Sequence, residues 1–202
     1  MRSGEVQSRL ERLVRAGLQP LLVGPPGVGK TSMLRQAAER LGMRCWVGHP
    51  AIADPTDYRG LPALVEGQAE FLPYGGLREL LQATEPTLAV LDDLGQAPPS
   101  VQAALMQLVG ARRLDAHRVP DCVVFAAASN RREDRAGVAG ILQPLQDRFA
   151  AVLSVDPDLE AWLEWACASG VRRFRGSQAA APLKQAVHRE SSFRDNGFRG
   201  SQ

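Results

Sequence analysis

Apolar residues in this chain follow two rhythms. Val6, Leu10, Leu13 and Val14 recur at helical spacing among charged neighbours and predict an amphipathic helix over 5–16. Short continuous apolar runs follow, each the length of a buried strand: 20–23, 44–47, Leu88–Leu91, 121–128 and 150–155. Between them the pattern predicts helices over 30–41, 77–83, from Pro98 through Val109, and around 138–146. Proline opening the third of these is tolerated, because the first helical N–H groups have no partner to lose. The proline- and glycine-punctuated stretch 48–76 sets Leu61–Val65 and Ala69–Leu72 on either side of Glu66-Gly67-Gln68, which predicts a β-hairpin. Residues 111–121 predict a second, smaller hairpin. Strands alternating with helices give an α/β fold: a parallel five-stranded sheet flanked by helices, with β-hairpin insertions. In such a sheet the active groups gather at the carboxyl ends of the strands.

Composition narrows the class. A chain of 202 residues with 45% hydrophobic content can bury a sizeable core in one domain. No apolar stretch approaches the roughly 20 residues a membrane helix needs, so no membrane association is expected. Cys45, Cys122 and Cys167 are far apart and lack C-x-x-C spacing, and two of them fall in predicted strands. Reduced core thiols and a cytoplasmic location are the expectation. His49, His117 and His188 show no metal-site spacing. The net charge of +2 hides an asymmetry: residues 1–169 carry 17 basic and 20 acidic side chains, residues 170–202 carry 7 and 2. An acidic body makes nucleic acid an unlikely partner. The pentapeptide Phe-Arg-Gly-Ser-Gln occurs at 174–178 and again at 198–202. Residues 171–202 lack periodicity and read as a disordered basic tail, compatible with an out-of-frame or rearranged end of a longer gene.

The chemistry starts at one lysine. Only two of the 24 basic residues are lysines, and Lys30 closes Gly24-Pro25-Pro26-Gly27-Val28-Gly29-Lys30-Thr31, a complete G-x-x-x-x-G-K-[ST] phosphate loop followed by Ser32. Glycines let backbone N–H groups turn inward around an anion, and the following helix adds its positive end. Lys30 is expected on the β- and γ-phosphates of ATP, and the Thr31 hydroxyl on Mg²⁺. Asp92, after an apolar strand, fits the Mg²⁺-site carboxylate, although helix caps use the same residue. Asp93 fits a base that polarises water. Its reach is roughly 1.5 Å shorter than a glutamate's, and such a displacement can cost about a hundredfold in rate if uncompensated. Asn130 could orient water or the γ-phosphate, or simply start a turn. Arg148 could reach a neighbouring subunit's site as an arginine finger, or pair with Asp147 or Asp156; Arg131, Arg132 and Arg135 compete for the same part.

Taken in order, the phosphate loop, the hairpin insertion, LAVLDD, APPSVQAALMQLV, AAASN and PLQDRF resemble an AAA+ ATPase. They are most similar to the MoxR-like, dynein-related group that carries a hairpin insert in helix two. The resemblance covers roughly residues 18–156 and makes residues 1–156 a P-loop nucleotide-binding core. It implies ATP hydrolysis between subunits of a ring, usually a hexamer, with the hairpins at about 58–74 and 111–120 facing the pore or a client. The client it implies is a protein, often with a von Willebrand A-type protein alongside. Asp93 stands where that group has glutamate. The helical lid that should follow residue 156 barely begins over 157–170, and the truncated lid offers no sensor-two arginine. Trp162 and Trp165 are therefore expected to be partly exposed.

Overall fold

The computed structural model describes residues 1, 3–114, 117–134, 140–161 and 163. The tail, Trp162, Trp165 and Cys167 lie outside the described residues, and so do the readings made of them.

Helix α1 (Ser3–Arg15) leads to strand β1 (Pro20–Val23), the phosphate loop and α2 (Lys30–Arg40). Strand β2 (Arg44–Gly48) is followed by a short helix α3 (Thr56–Arg59), then by the hairpin β3 (Leu61–Val65) and β4 (Gln68–Leu72). Helix α4 (Gly75–Leu81) precedes β5 (Thr87–Leu91), and α5 (Pro99–Met106) continues into a π-helical turn at Gln107–Ala111. The second hairpin, β6 (Arg113–Leu114) and β7 (His117–Arg118), feeds β8 (Val123–Ser129); α6 (Gln143–Gln146) and β9 (Ala151–Ser154) complete the core. The order β2-β5-β8-β1-β9, parallel throughout, is the expected five-stranded sheet.

The pleat divides the core in two. Along β1 and β5, Leu21, Ala89 and Leu91 face one way and pack with Leu77 and Leu80 of α4 and Val101 and Leu105 of α5. Their neighbours Leu22, Leu88 and Val90 face the other way, onto Val6 and Leu10 of α1 and Leu34 and Ala37 of α2. Central β8 is buried along its whole length, which is why it reads as an unbroken apolar run rather than an alternation.

Four expectations shift. The helix begun at Pro98 ends its α-helical part at Met106, and the π turn carries the chain on. Strand β8 starts at Val123, which leaves Cys122 in the preceding turn, and both Cys122 and Cys45 are half-buried rather than core thiols. Helix α4 begins at Gly75. Of the helix expected around 138–146, the part 143–146 is present and 135–139 lies outside the described residues.

Phe125 is fully buried at the centre of β8. Replacing it by alanine should cost about 3–5 kcal/mol of unfolding free energy, the range for emptying an aromatic core site. Urea unfolding followed by circular dichroism measures that loss.

Candidate active site

Strand order builds this site. Because β8 lies between β5 and β1, the residues after three strand ends meet: the loop after Val23, Asp92 and Asp93 after Leu91, and Asn130 after Ser129. The loop turns back at once after β1. A Cβ at Gly24 would collide with the backbone of Val155, so the close approach requires glycine, and Gly29 enters α2 at φ +94°, in the left-handed region.

Lys30, the first residue of α2, is only 6% exposed. Its ammonium donates to the carbonyls of Gly24 (2.9 Å) and Pro25 (2.8 Å) and to Asn130 Oδ1 (2.7 Å). All three donors are thereby used. Burial pushes its pKa down to about 8, against the pull of Asp93 and Asp92. The other end of the Asn130 amide, Nδ2, donates to Asp93 Oδ1 at 3.4 Å, so one side chain joins the lysine to the second aspartate. Asp93 sits at φ +53°, a left-handed conformation unusual for a non-glycine residue. Burial raises its pKa and the neighbouring Asp92 carboxylate raises it further, while Lys30 and His49 pull the other way.

Thr31 Oγ1 donates to both oxygens of Asp92, each at 2.9 Å. A hydroxyl and a carboxylate at this spacing are hard oxygen donors suited to Mg²⁺, which completes its shell with water and phosphate oxygens. Among the described residues no group of three or more His, Cys, Asp or Glu could hold a metal.

Arg148 lies elsewhere. It precedes β9 at the amino end of the sheet, where Ala150 N–H donates to the carbonyl of Gln19, and its side chain lies against Gly110 of the π turn. The site of its own chain is at the opposite end of the strands, so Arg148 is not brought together with Lys30, Asp92, Asp93 and Asn130. Among the described residues no ion pair joins it to Asp147 or Asp156. Asp156 instead pairs with Arg131 (2.6 Å), which occupies that competing arginine.

A cleft of ≈ 470 Å³ opens beside the loop, between α1, α2 and residues 157–161. Gly27, Val28, Gly29 and Ser32 of its wall belong to the expected phosphate-binding segment, whereas the α1 side of the cleft was missed in the sequence. One signal was available: Gln7 falls on the stripe of α1 otherwise formed by Val6, Leu10 and Val14, and is buried with them.

Residues 19–149 match the AAA domain family, dynein-related subfamily. The chain belongs to that AAA+ ATPase family. Among curated relatives, Replication factor C small subunit 2 of Pyrobaculum aerophilum is 29% identical over 73% of this chain and 42% of its own length. The Holliday junction branch migration complex subunit RuvB of Prochlorococcus marinus is 29% identical over 80% of this chain and 47% of its own. The AAA domain thus spans less than half the length of either relative. Among solved structures, the Thermotoga maritima RuvB branch migration motor superposes with a TM-score of 0.58 at 18% identity, covering 89% of this chain and 54% of that one. Brucella abortus NtrX in complex with ADP gives 0.56 at 16%, covering 86% and 42%. These likenesses support the P-loop sheet.

The lysine sets a pH dependence. A phosphate prefers the ammonium form, which in the free protein is lost as pH rises through about 8. Triphosphate affinity should therefore fall about tenfold between pH 7 and pH 9, with proton uptake on binding at the higher pH. Calorimetry in two buffers of different ionisation enthalpy measures both. Lys30→Ala should abolish tight binding and its pH dependence together.

Proposed function

We propose that this AAA domain is an ATP-hydrolysing, Mg²⁺-dependent motor subunit of MoxR-like type, cytoplasmic, that remodels a protein partner from within a ring, on the hexameric pattern. The observation that carries the catalytic half is the chain of contacts Lys30–Asn130–Asp93 beside Thr31–Asp92. In this reading Gly24 through Ser32 cradle the phosphates and Lys30 exchanges its loop carbonyls for phosphate oxygens. Thr31 and Asp92 would hold Mg²⁺, which would supply neutralising charge for the phosphates. Asp93 takes a proton from the attacking water as the water oxygen bonds to the γ-phosphorus and the bond to the β,γ-bridging oxygen breaks, giving ADP and phosphate. Asn130, released by Lys30, holds the water or the γ-phosphate. Arg148 of a neighbouring copy faces the developing charge.

The protein partner is supported by the β3–β4 hairpin. Leu64 is 81% exposed near its tip, Leu61 and Leu72 are exposed along it, and the Arg59 guanidinium lies 4.4 Å from the centre of the Phe71 ring. An apolar, exposed hairpin suits an apolar segment of another protein.

A second reading, a DNA-directed motor, draws on the replication factor C and RuvB relatives and on the smaller hairpin, which carries Arg113, His117 and Arg118. Adding duplex DNA or an unfolded protein to the ATPase separates the two. Stimulation by the protein, lost in Leu64→Asp, supports the first reading; salt-sensitive stimulation by DNA would replace it with the second.

Asp93→Asn should retain nucleotide affinity and lower turnover by about a hundredfold or more. Because burial raises the Asp93 pKa, the acid limb of the turnover–pH profile should lie above that of an ordinary aspartate. Equal turnover in both proteins would remove Asp93 from the mechanism and, where that turnover is low, favour a nucleotide-gated binding module. Mixing Lys30→Ala with Arg148→Ala subunits, each inactive alone, should restore part of the turnover, because one subunit brings the intact loop and the other the arginine.

A further inference from the structure

A second pocket, of ≈ 320 Å³, lies at the β2 edge of the sheet, with β5 and β8 between it and the strand that carries the phosphate loop. Three aromatic rings share its wall: Trp46 of β2, Tyr58 of α3 and Tyr74 just before α4. Glycine makes room for them. A Cβ at Gly48 would come within 2.8 Å of both the Trp46 ring and the Tyr58 hydroxyl, and one at Gly76 within 3.1 Å of the indole nitrogen. Tyr58 is 3% exposed, and its hydroxyl has no hydrogen-bond partner among the described residues yet keeps accessible surface. Burial raises its pKa and the Asp57 carboxylate raises it further, so the group stays a phenol.

The charge of this wall is uncompensated. Asp57 lines the pocket half-buried, where Tyr74 Oη donates to its Oδ1 at 2.7 Å and the Asp54 N–H to its Oδ2 at 2.8 Å. A carboxylate oxygen accepts two hydrogen bonds, so each keeps a free acceptor site. Among the described residues neither Asp54 nor Asp57 has an ion-pair partner. Of the side chains that line the pocket, only His49 can carry positive charge. Aromatic faces beside a carboxylate favour a cation on an apolar stem, and Ile52, 88% exposed at the rim, gives that stem a surface to lie on. A planar guanidinium stacks on rings and reaches a carboxylate through two N–H groups, which an ammonium does not.

We infer that this pocket receives an arginine side chain of a polypeptide partner, its guanidinium against the aromatic wall and donating to Asp57 and to the Tyr58 oxygen. The inference rests on the protein-partner reading above for what carries the arginine. It extends the contact from the apolar hairpin to its root, where Leu61 pairs with Leu72 and the chain on either side leads to Tyr58 and Tyr74.

The test uses N-acetylarginine methylamide and N-acetylcitrulline methylamide, nearly equal in shape, the second uncharged. Each is titrated into the full chain at low salt while nuclear magnetic resonance follows the Trp46 indole N–H, identified by its loss in Trp46→Phe. The arginine probe should shift that resonance saturably and bind about tenfold or more tightly than the citrulline probe. In Asp57→Asn the two affinities should converge. Should that variant not fold, the wild-type pair alone decides. Equal affinities in the wild type, or no shift with either probe, would overturn the arginine site. The partner reading fails separately: if the arginine probe is preferred but no polypeptide stimulates the ATPase, the pocket stands and the polypeptide partner is removed.

Discussion

Everything at this site depends on holding one ammonium group out of water. Burying a charge is expensive unless hydrogen bonds replace its hydration, and Lys30 donates three, two to the carbonyls of its own loop and one to Asn130 Oδ1. Those acceptors exist only because the fold puts them there. Gly24 must pass against Val155, which requires β9 beside β1; Asn130 must follow Ser129, which requires β8 on the other side of β1. The strand order is thus the condition for the lysine's coordination. Burial outweighs the nearby aspartates and lowers the Lys30 pKa, so an added anionic partner would stabilise the ammonium. A triphosphate is such a partner.

The same order explains why residues about a hundred positions apart behave as one unit. Register pairs Leu21 with Ala127 and Leu91 with Ala127, so β1, β8 and β5 end at nearly one level and the side chains beyond them share a small volume. Asn130 sits centrally in that volume. Its two amide atoms have opposite hydrogen-bonding characters, so it can hold a cation on one side and a carboxylate on the other. In the proposed mechanism, drawing the cation to a phosphate would free the amide oxygen and change what Asp93 faces.

Much of this was legible in the sequence because it depends on local pattern. The apolar runs of β1, β5 and β8 are continuous because both faces of the sheet are covered, and the hairpin declares itself through Glu66-Gly67-Gln68 between alternating strands. The phosphate loop is a spacing of glycines with one lysine. What escaped depends on tertiary contacts. The π turn at Gln107–Ala111 has no composition that separates it from the end of an ordinary helix, and α3 is four residues in a proline-rich loop. The burial of Gln7 becomes visible only once α2 and the phosphate loop pack against α1. Its position on an apolar stripe was a signal, because a glutamine there must either be exposed or find work inside.

Arg148 shows how fold geometry limits function even where sequence suggests it. Chain order puts it just before β9, and a parallel sheet puts the start of β9 at the far end from every phosphate-loop atom. A guanidinium there cannot swing around the sheet to its own site, since the strands between are buried on both faces. If it touches a nucleotide at all, the nucleotide belongs to another molecule, and the Gly110 backbone that its stem lies against then becomes part of an intersubunit surface. Asp93 reinforces the point. Its carboxylate is short, it is held in a left-handed conformation, and it is bound to an amide engaged with Lys30. Its carboxylate is therefore restrained. In the reading developed here, a nucleotide frees it by drawing Lys30 away, and an arginine from outside the chain completes the charge balance. Catalytic competence then becomes a property of two copies and a bound substrate together rather than of the isolated domain.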